Sequence, residues 1–544
     1  MSKYSIGIDY GTLSCRALIV DIATGEEIAT SVCEYKHGVI SDKFVDGTHL
    51  PADYSLQHPR DYLDALHYVL KECLEIANIS TDDIVGIGVD FTASTVMPVA
   101  ADGTPLCFLD EYKTNPHAYV KLWKHHAAQR EADDINRLAK EMGAKWLSKY
   151  GGTISSEWLF PKVLQILRED KSLYDDTFRF IEAGDWLVWY LTGKETHSVC
   201  TTGFKAMWDD VDGYPDKNFL SKLAPEFENI VGTKISNDIT KLSTPAGYIT
   251  PEIAKLTGLK EGTPVMPAFI DAHAALPALG ITEPGELLMI IGTSTCHILI
   301  GDKAVDIPGI SGYVKDGIVD GVYAFEAGQS CVGDSFDWFV KNCVPKSYFD
   351  EAETQGINIH KYLRNKAKLL SPGSNGLLAL DWWNGNRTPY VDGNLTGTIV
   401  GLDIHTAPEE IYRALIESTA YGTKRIIEIY EENGIKIDKL YAAGGIAEKD
   451  ELLMQIYADV LGREIYLSGT SQACAYGSAV LGAVNADCYA DLKEAATSMK
   501  KIKDTVYKPN PSNTDAYNEL YSQYKILSEF FVKNGVMKSL KALK

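Results

Sequence analysis

Apolar positions along this chain fall into short runs that change period in a fixed order. Residues 4–10, YSIGIDY, and 15–22, CRALIVDI, are mostly apolar and are separated by Gly11 to Ser14. After a turn at ATGE, a third extended run, EIATSVCEY, covers 27–35. Such runs, bounded by turn residues, predict a hairpin or a three-stranded meander. Pro59 then opens a helical pattern with Leu63, Leu66, Leu70, Cys73 and Ala77 on one face, close to the 3.6-residue period. Ile84 to Phe91, IVGIGVDF, is an apolar, β-branched run of the kind a sheet buries on both faces.

The later half repeats this grammar. GELLMII and CHILIGD flank a second turn at Gly292, Pro408 opens a helix with Ile411, Leu415, Ile426 and Ile429 inward, and the strand KLYAA ends in Gly444 and Gly445. The phrase GTLSCRALI at 11–19 returns as GTSTCHILI at 292–300, an offset of 281 residues (292 minus 11). From glycine to the end of the later strand is 79 residues in the first half (11 to 90) and 152 in the second (292 to 444). The difference is assigned to an insertion around 303–400. Two related domains are expected, residues 1–280 and 281–490, followed by a charged helical tail, 491–544, lying on the surface as an appendage.

Two such turns facing each other across a cleft could hold a polyphosphate between backbone N–H groups. Gly11, Thr12 and Ser14 would serve in the first turn, and Gly292 and Thr293, with the hydroxyls of Ser294 and Thr295, in the second. Aligning the glycines sets Asp9 opposite Ile290, so the first turn alone carries a carboxylate, where Mg²⁺ held through water would sit. A turn-capping role is the plainer reading of Asp9.

Composition narrows the classes. At 544 residues with 45% hydrophobic and 10% aromatic residues, the chain is globular and too long for one ordinary core. Its net charge of −22 repels nucleic acid and anionic membranes, and a nucleotide would need local donors and a metal. The ten cysteines contain no CxxC pair, which argues against a zinc cluster or a disulfide framework. Neither a signal peptide nor an apolar run near ~18 residues is found, so a soluble cytoplasmic protein is expected. Asn394-Leu395-Thr396 matches the glycosylation pattern, which has no use in that compartment. His125 and His126, read as neighbours on a helix, would point to different faces and are not taken as metal ligands.

The array IGIDYGTLSCRALIVD, MIIGTSTCH and YAAGGIAEKDELLMQIYADVLG, with SEWLFPKVLQILRED and FIEAGDWLVWYLTG between, resembles the FGGY carbohydrate kinases over residues 4 to 490. That family is a branch of the actin, hexokinase and heat-shock-chaperone ATPases. The resemblance implies an α/β fold of two ribonuclease H-like domains that close around a central cleft, with ATP and Mg²⁺ as cofactors. The phrases GIGVDFTASTVMPV, LWKHHAAQREADDIN, TTGFKAMW, FIDAHAALPALG, FEAGQS and LDWWNGNRTPY are most similar to members acting on L-ribulose, in L-arabinose catabolism. Another ketopentose or a pentitol is the alternative substrate. A nucleotide-dependent switch or filament protein, or a sugar sensor without catalysis, belongs to other classes.

By the same resemblance Asp271 is the proton acceptor, and Ala93 through its backbone, Lys205, Glu326 and Asp271 hold the sugar. Gly444 and Gly445 let adenosine approach. On the residues alone, Asp271 reads first as a helix N-cap, Lys205 as a snorkelling surface lysine, and Glu326 as a salt-bridged edge residue. An ordinary pKa near ~4 is expected of Asp271 and suits a late proton transfer. Trp208, Trp382 and Trp383 could pack on the sugar or in the core. Glu448-Lys449-Asp450, where many relatives carry a small polar residue, leaves the adenine contacts unassigned. A symmetric homodimer is the default assembly.

Overall fold

The computed structural model describes residues 2–484 and 488–543. Two seven-stranded sheets dominate it, one from each half of the chain. In the first, Tyr4–Tyr10 and Ser14–Asp21 form the expected hairpin, Glu27–Glu34 extends it, and Ile84–Phe91 lies parallel to Tyr4–Tyr10 on the other side. In the second, Glu286–Ile291 and Thr295–Gly301 form the hairpin, Tyr323–Gln329 extends it, and Lys439–Ala443 lies parallel to Glu286–Ile291. An antiparallel meander joined through a helix to a parallel strand is thus built twice, as actin- and hexokinase-like domains are.

Three expectations are corrected. Residues 303–400 are not all inserted, because Tyr323–Gln329 is the counterpart of Glu27–Glu34. Its sequence YAFEAGQ mixes small and acidic residues and hides a strand. The tail is not an appendage. Ile502–Tyr507 pairs with Ile465–Ser468 as the last strand of the second sheet, and Pro511–Asn534 buries Tyr517, Tyr521 and Tyr524. Those tyrosines recur at helical spacing, a core-facing stripe among charges. His125 and His126 lie in a turn before the helix Gln129–Met142. Among the described residues, no helix is long and apolar enough to cross a membrane.

The halves meet through two helices, Asp271–Ala278 and Ala473–Val484, packed against each other beneath both hairpins. A single core holds Leu18 and Val20 of the first hairpin, Leu288 and Ile298 of the second, and Ala274, Ala475 and Ala479 of the two helices. The packing is closer than side chains allow. A Cβ on Gly7 would overlap the Ala475 carbonyl oxygen, one on Gly88 that of Ser478, one on Gly86 that of Gly482, and one on Gly477 that of Ala274. Strands Tyr4–Tyr10 and Ile84–Phe91 therefore present bare backbone to the helix backbone.

Gly7→Ala forces backbone against backbone and is expected to cost about 3 kcal/mol, lowering Tm by about 3 °C in differential scanning fluorimetry. Gly393→Ala, where nothing lies within 4 Å, serves as the control with unchanged Tm. Equal Tm values for both variants would contradict the contact.

Candidate active site

The strand ends of the first sheet gather carboxylates. In the parallel pair Asp9 is in register with Asp90, and Phe269 pairs with Asp90, so Asp271 follows at the start of its helix on the same sheet edge. Ligands of such sheets bind beyond the carboxyl ends of the strands. Asp90 is fully buried and its Oδ2 accepts from Ser478 Oγ at 2.7 Å. Burial, then the Asp9 charge, pushes the Asp90 carboxyl well above the usual carboxylate range. Asp90 is thus the proton holder of the pair and Asp9 the charged, partly exposed member. Burial raises the Asp9 pKa as well, while Asp90 and then Arg16, which stands opposite Asp9 across the hairpin, act to lower it.

Asp271 accepts the Ala272 N–H at 2.7 Å. It sits deep in the cleft floor while part of its surface stays open to solvent. Burial, reinforced by the negative charges of Asp9 and Glu326, raises its pKa to about 7. The ordinary carboxylate value expected from the sequence is corrected accordingly, because burial and neighbouring charge are properties of the folded cleft.

Two of the sugar-side residues, Lys205 and Glu326, join a chain of hydrogen bonds across the halves. Lys205, ending the helix Val199–Lys205, donates to both oxygens of Glu326 at 2.7 and 2.9 Å. Glu326 lies on Tyr323–Gln329 of the other half and also receives His273 Nε2 at 3.1 Å. Burial lowers the His273 pKa, so the ring is neutral. With Nε2 donating, Nδ1 accepts from the Cys200 thiol at 3.3 Å. Lys205 holds Glu326 below the usual carboxylate range despite its burial. A snorkelling surface lysine is excluded, since Lys205 is 6% exposed.

Ala93 is partly exposed on a braced turn. Ser94 takes a left-handed φ of 55°, and its carbonyl accepts Lys162 Nζ at 2.5 Å. Thr95 N–H donates to Glu182 Oε2 at 2.8 Å. Lys162 and Glu182 are buried, and burial lowers the one pKa and raises the other. These two buried residues fix the backbone that follows Ala93. Trp382 joins the core, edge-on to Tyr390, and Trp383 packs on Trp338 at 4.3 Å. Trp208 is partly buried against the core between the halves.

The two turns are alike in letters and different in register. Gly11 N–H donates to the Ser14 carbonyl, three residues on, and Gly292 N–H to that of Ser294, two residues on. Arg16 therefore faces Asp9, whereas Cys296 faces Ile290. Thr12 accepts Trp123 Nε1 at 3.2 Å through its hydroxyl. Thr293 is exposed and its carbonyl accepts from Val332 N–H at 2.7 Å. Gly444, at φ 97°, lies against Ile291, so the adenosine glycines adjoin the second turn. A Cβ on Gly445 would meet nothing within 4 Å. Asp450 caps the helix Glu451–Leu461 and pairs with Arg364 at 3.0 Å, which removes it as an adenine contact.

Sequence reading missed Asp90, Arg16, His273, Lys162, Glu182 and Gly333. Gly333 abuts Gly292 and Ile446, where a Cβ would lie 2.9 Å from the Gly292 carbonyl and 2.7 Å from Ile446 Cδ1. The carboxylate ending an otherwise apolar strand was the available signal for Asp90.

Residues 4–278 match the model of the N-terminal domain of the FGGY family of carbohydrate kinases, and residues 287–486 match that of its C-terminal domain. A ribulokinase of Bacillus licheniformis is 51% identical over 538 residues, covering 98% of each chain. A ribulokinase of Halalkalibacterium halodurans is 47% identical over 551 residues, covering 100% of this chain and 98% of that one. A solved structure of a ligand-bound xylulose kinase from Lactobacillus acidophilus superposes with a TM-score of 0.81 at 18% identity, covering 97% of this chain and 98% of that one. At that identity the likeness speaks for the fold.

Removing one member of the buried Lys205–Glu326 pair strands the other. Lys205→Met is expected to cost about 3 kcal/mol, and Lys205→Met combined with Glu326→Gln less than that, both read as Tm. A double variant whose loss equals the sum of the losses in Lys205→Met and Glu326→Gln would show the two residues to be uncoupled.

Proposed function

Because this chain belongs to the FGGY family of carbohydrate kinases, we propose that it transfers the γ-phosphoryl group of ATP to the 5-hydroxyl of L-ribulose. The observation that carries this reading is Asp271, a carboxylate with its pKa near 7, set beside the Lys205–Glu326 pair and the Ala93 turn. Full-length similarity to ribulokinases at 51% and 47% identity supports the ketopentose over other acceptors.

Asp271 accepts the proton of the attacking hydroxyl as the phosphorus–oxygen bond forms, while the bond to the ADP oxygen breaks. A carboxylate raised to about 7 is a stronger base than an ordinary one and is still ionised in a good part of the molecules at neutral pH. Lys205 donates to sugar oxygens and Glu326 and the Ala93 backbone complete the set, a mix of donors and acceptors that suits a polyhydroxy ketone. The turns at Gly11–Ser14 and Gly292–Thr293 cradle the phosphates, and Gly444 and Gly445 admit the adenosine. Asp9, partly exposed at the end of its strand and hydrogen-bonded by the buried Asp90 carboxyl, suits Mg²⁺ held through water. When bound, that ion neutralises phosphate charge. A cytoplasmic enzyme closing on its two substrates fits this chemistry.

With Mg²⁺ and ATP, kcat/KM is expected to be highest for L-ribulose in a panel with D-ribulose, L- and D-xylulose, ribitol and glycerol. A glycerol-led profile would overturn the sugar assignment. Protonation disables the base, so kcat/KM should fall about tenfold per pH unit below about 7 and level off above it. Asp271→Asn should lower kcat by about 10²–10⁴ and abolish that inflection; a retained inflection would exclude Asp271 as its source.

A further inference from the structure

Arg387 reaches the cleft from the segment that follows the short strand Leu378–Leu380 in the second half. Its side chain lies flat over Gly328, where a Cβ would stand 3.2 Å from Cδ and 3.4 Å from Nη1. Gly328 is in register with Cys296, and Cys296 with Ile290. These residues share one face of the sheet, and Glu326, two positions from Gly328, shares it too. The guanidinium therefore occupies the strip between the second phosphate turn and the sugar-side pair. Glu157, Cys296 and Glu326 are the groups that act on it electrostatically.

The loop around Arg387 is held firmly. Thr388 Oγ1 accepts the Gly328 N–H at 3.3 Å, Asn386 Oδ1 accepts the Tyr390 N–H at 2.9 Å, and Asn386 and Asp392 exchange backbone hydrogen bonds at 3.0 and 2.8 Å. The tail braces it further, with Lys538 paired to Asp392 at 2.5 Å and Lys541 Nζ on the Gly393 carbonyl at 2.6 Å. Yet the guanidinium itself donates no hydrogen bond and forms no ion pair within 4 Å among the described residues. Lys205, in the same cleft, has both its contacts with Glu326.

A firmly mounted, partly buried cation with its donors unused is poised for an anion that enters the cleft. The neutral sugar cannot compensate it, and the phosphoryl group passing between nucleotide and sugar can. The second hairpin also lacks a cation of its own, since Cys296 stands where the first hairpin has Arg16. We propose that Arg387 is a catalytic residue that binds the equatorial oxygens of the transferring phosphoryl group. This deepens the kinase reading and rests on it. In the step, the bond from γ-phosphorus to the ADP oxygen breaks, the bond to the sugar oxygen forms, and the hydroxyl proton passes to Asp271. Arg387 exchanges no proton; its fork of donors follows the charge.

The test compares wild type, Arg387→Met, Arg387→Lys and Arg387→Ala with the sugar that the panel ranks first. Arg387→Met is expected to lower kcat by about 10²–10³, with KM for sugar and ATP within about threefold. Arg387→Lys, which keeps charge without the fork, should recover part of the loss, and added guanidinium ion should rescue Arg387→Ala. A rise in KM at unchanged kcat would overturn the proposal. Calorimetric binding of ADP with Mg²⁺ and fluoroaluminate, a mimic of the phosphoryl group in flight, should weaken at least a hundredfold in Arg387→Met while binding of ADP alone is unchanged. Equal fluoroaluminate binding in wild type and variant would also overturn it. Wild-type protein that phosphorylates no sugar would defeat the kinase reading, and the fluoroaluminate comparison would still decide the role of Arg387.

Discussion

The close contact of Ala473–Val484 with the strands Tyr4–Tyr10 and Ile84–Phe91 holds the molecule together. A helix from the end of the second half lies on the first half's sheet at backbone distance, which only Gly7, Gly86 and Gly88 permit. Ser478 is thereby brought to Asp90. Gly477 lets the same helix meet the carbonyl of Ala274, one turn into the helix that begins with Asp271. The carboxylates of the cleft are thus positioned by the joint between the halves, and a small shift there moves all three.

Charge in the cleft is arranged rather than abundant. Asp90 keeps a proton so that Asp9 can keep its charge, and Asp271 is raised by the same crowding. Lys205 and Glu326 come from different halves and neutralise each other, which sets the sugar side at low net charge. A chain of net charge −22 repels a nucleotide at a distance, and its backbone amides and few placed cations do their work only at contact.

Much of this was legible from local pattern. The hairpins, the helices opened by Pro59 and Pro408, and the strands Ile84–Phe91 and Lys439–Ala443 announce themselves because period and turn residues are local signals. Asp271, Lys205 and Glu326 were found through resemblance, since nothing in the letters around them separates a base or ligand from a surface charge. Register was not legible: GTLSC and GTSTC match letter for letter in glycine, threonine and cysteine, yet one turn closes a residue sooner than the other. Nor was the brace on Ala93, whose Lys162 and Glu182 lie 69 and 89 positions away (162 and 182 minus 93). The shift of Asp271 depends on burial and on Asp9 and Glu326, which sequence neighbours cannot convey.

The glycine faces of the first sheet also bear on how such a chain is made. Val484 follows Gly88 by 396 positions (484 minus 88), and at about 5–20 residues per second this is about 20–80 s of synthesis. During that interval the strands Tyr4–Tyr10 and Ile84–Phe91 have no helix to cover the grooves at Gly7, Gly86 and Gly88, and the last strand of their sheet, Phe269–Ile270, is itself still to be made for much of it. Leu18 and Val20, which end in the shared core, face water meanwhile. The first half's sheet is therefore closed over only when the helix Ala473–Val484 is made, late in the chain.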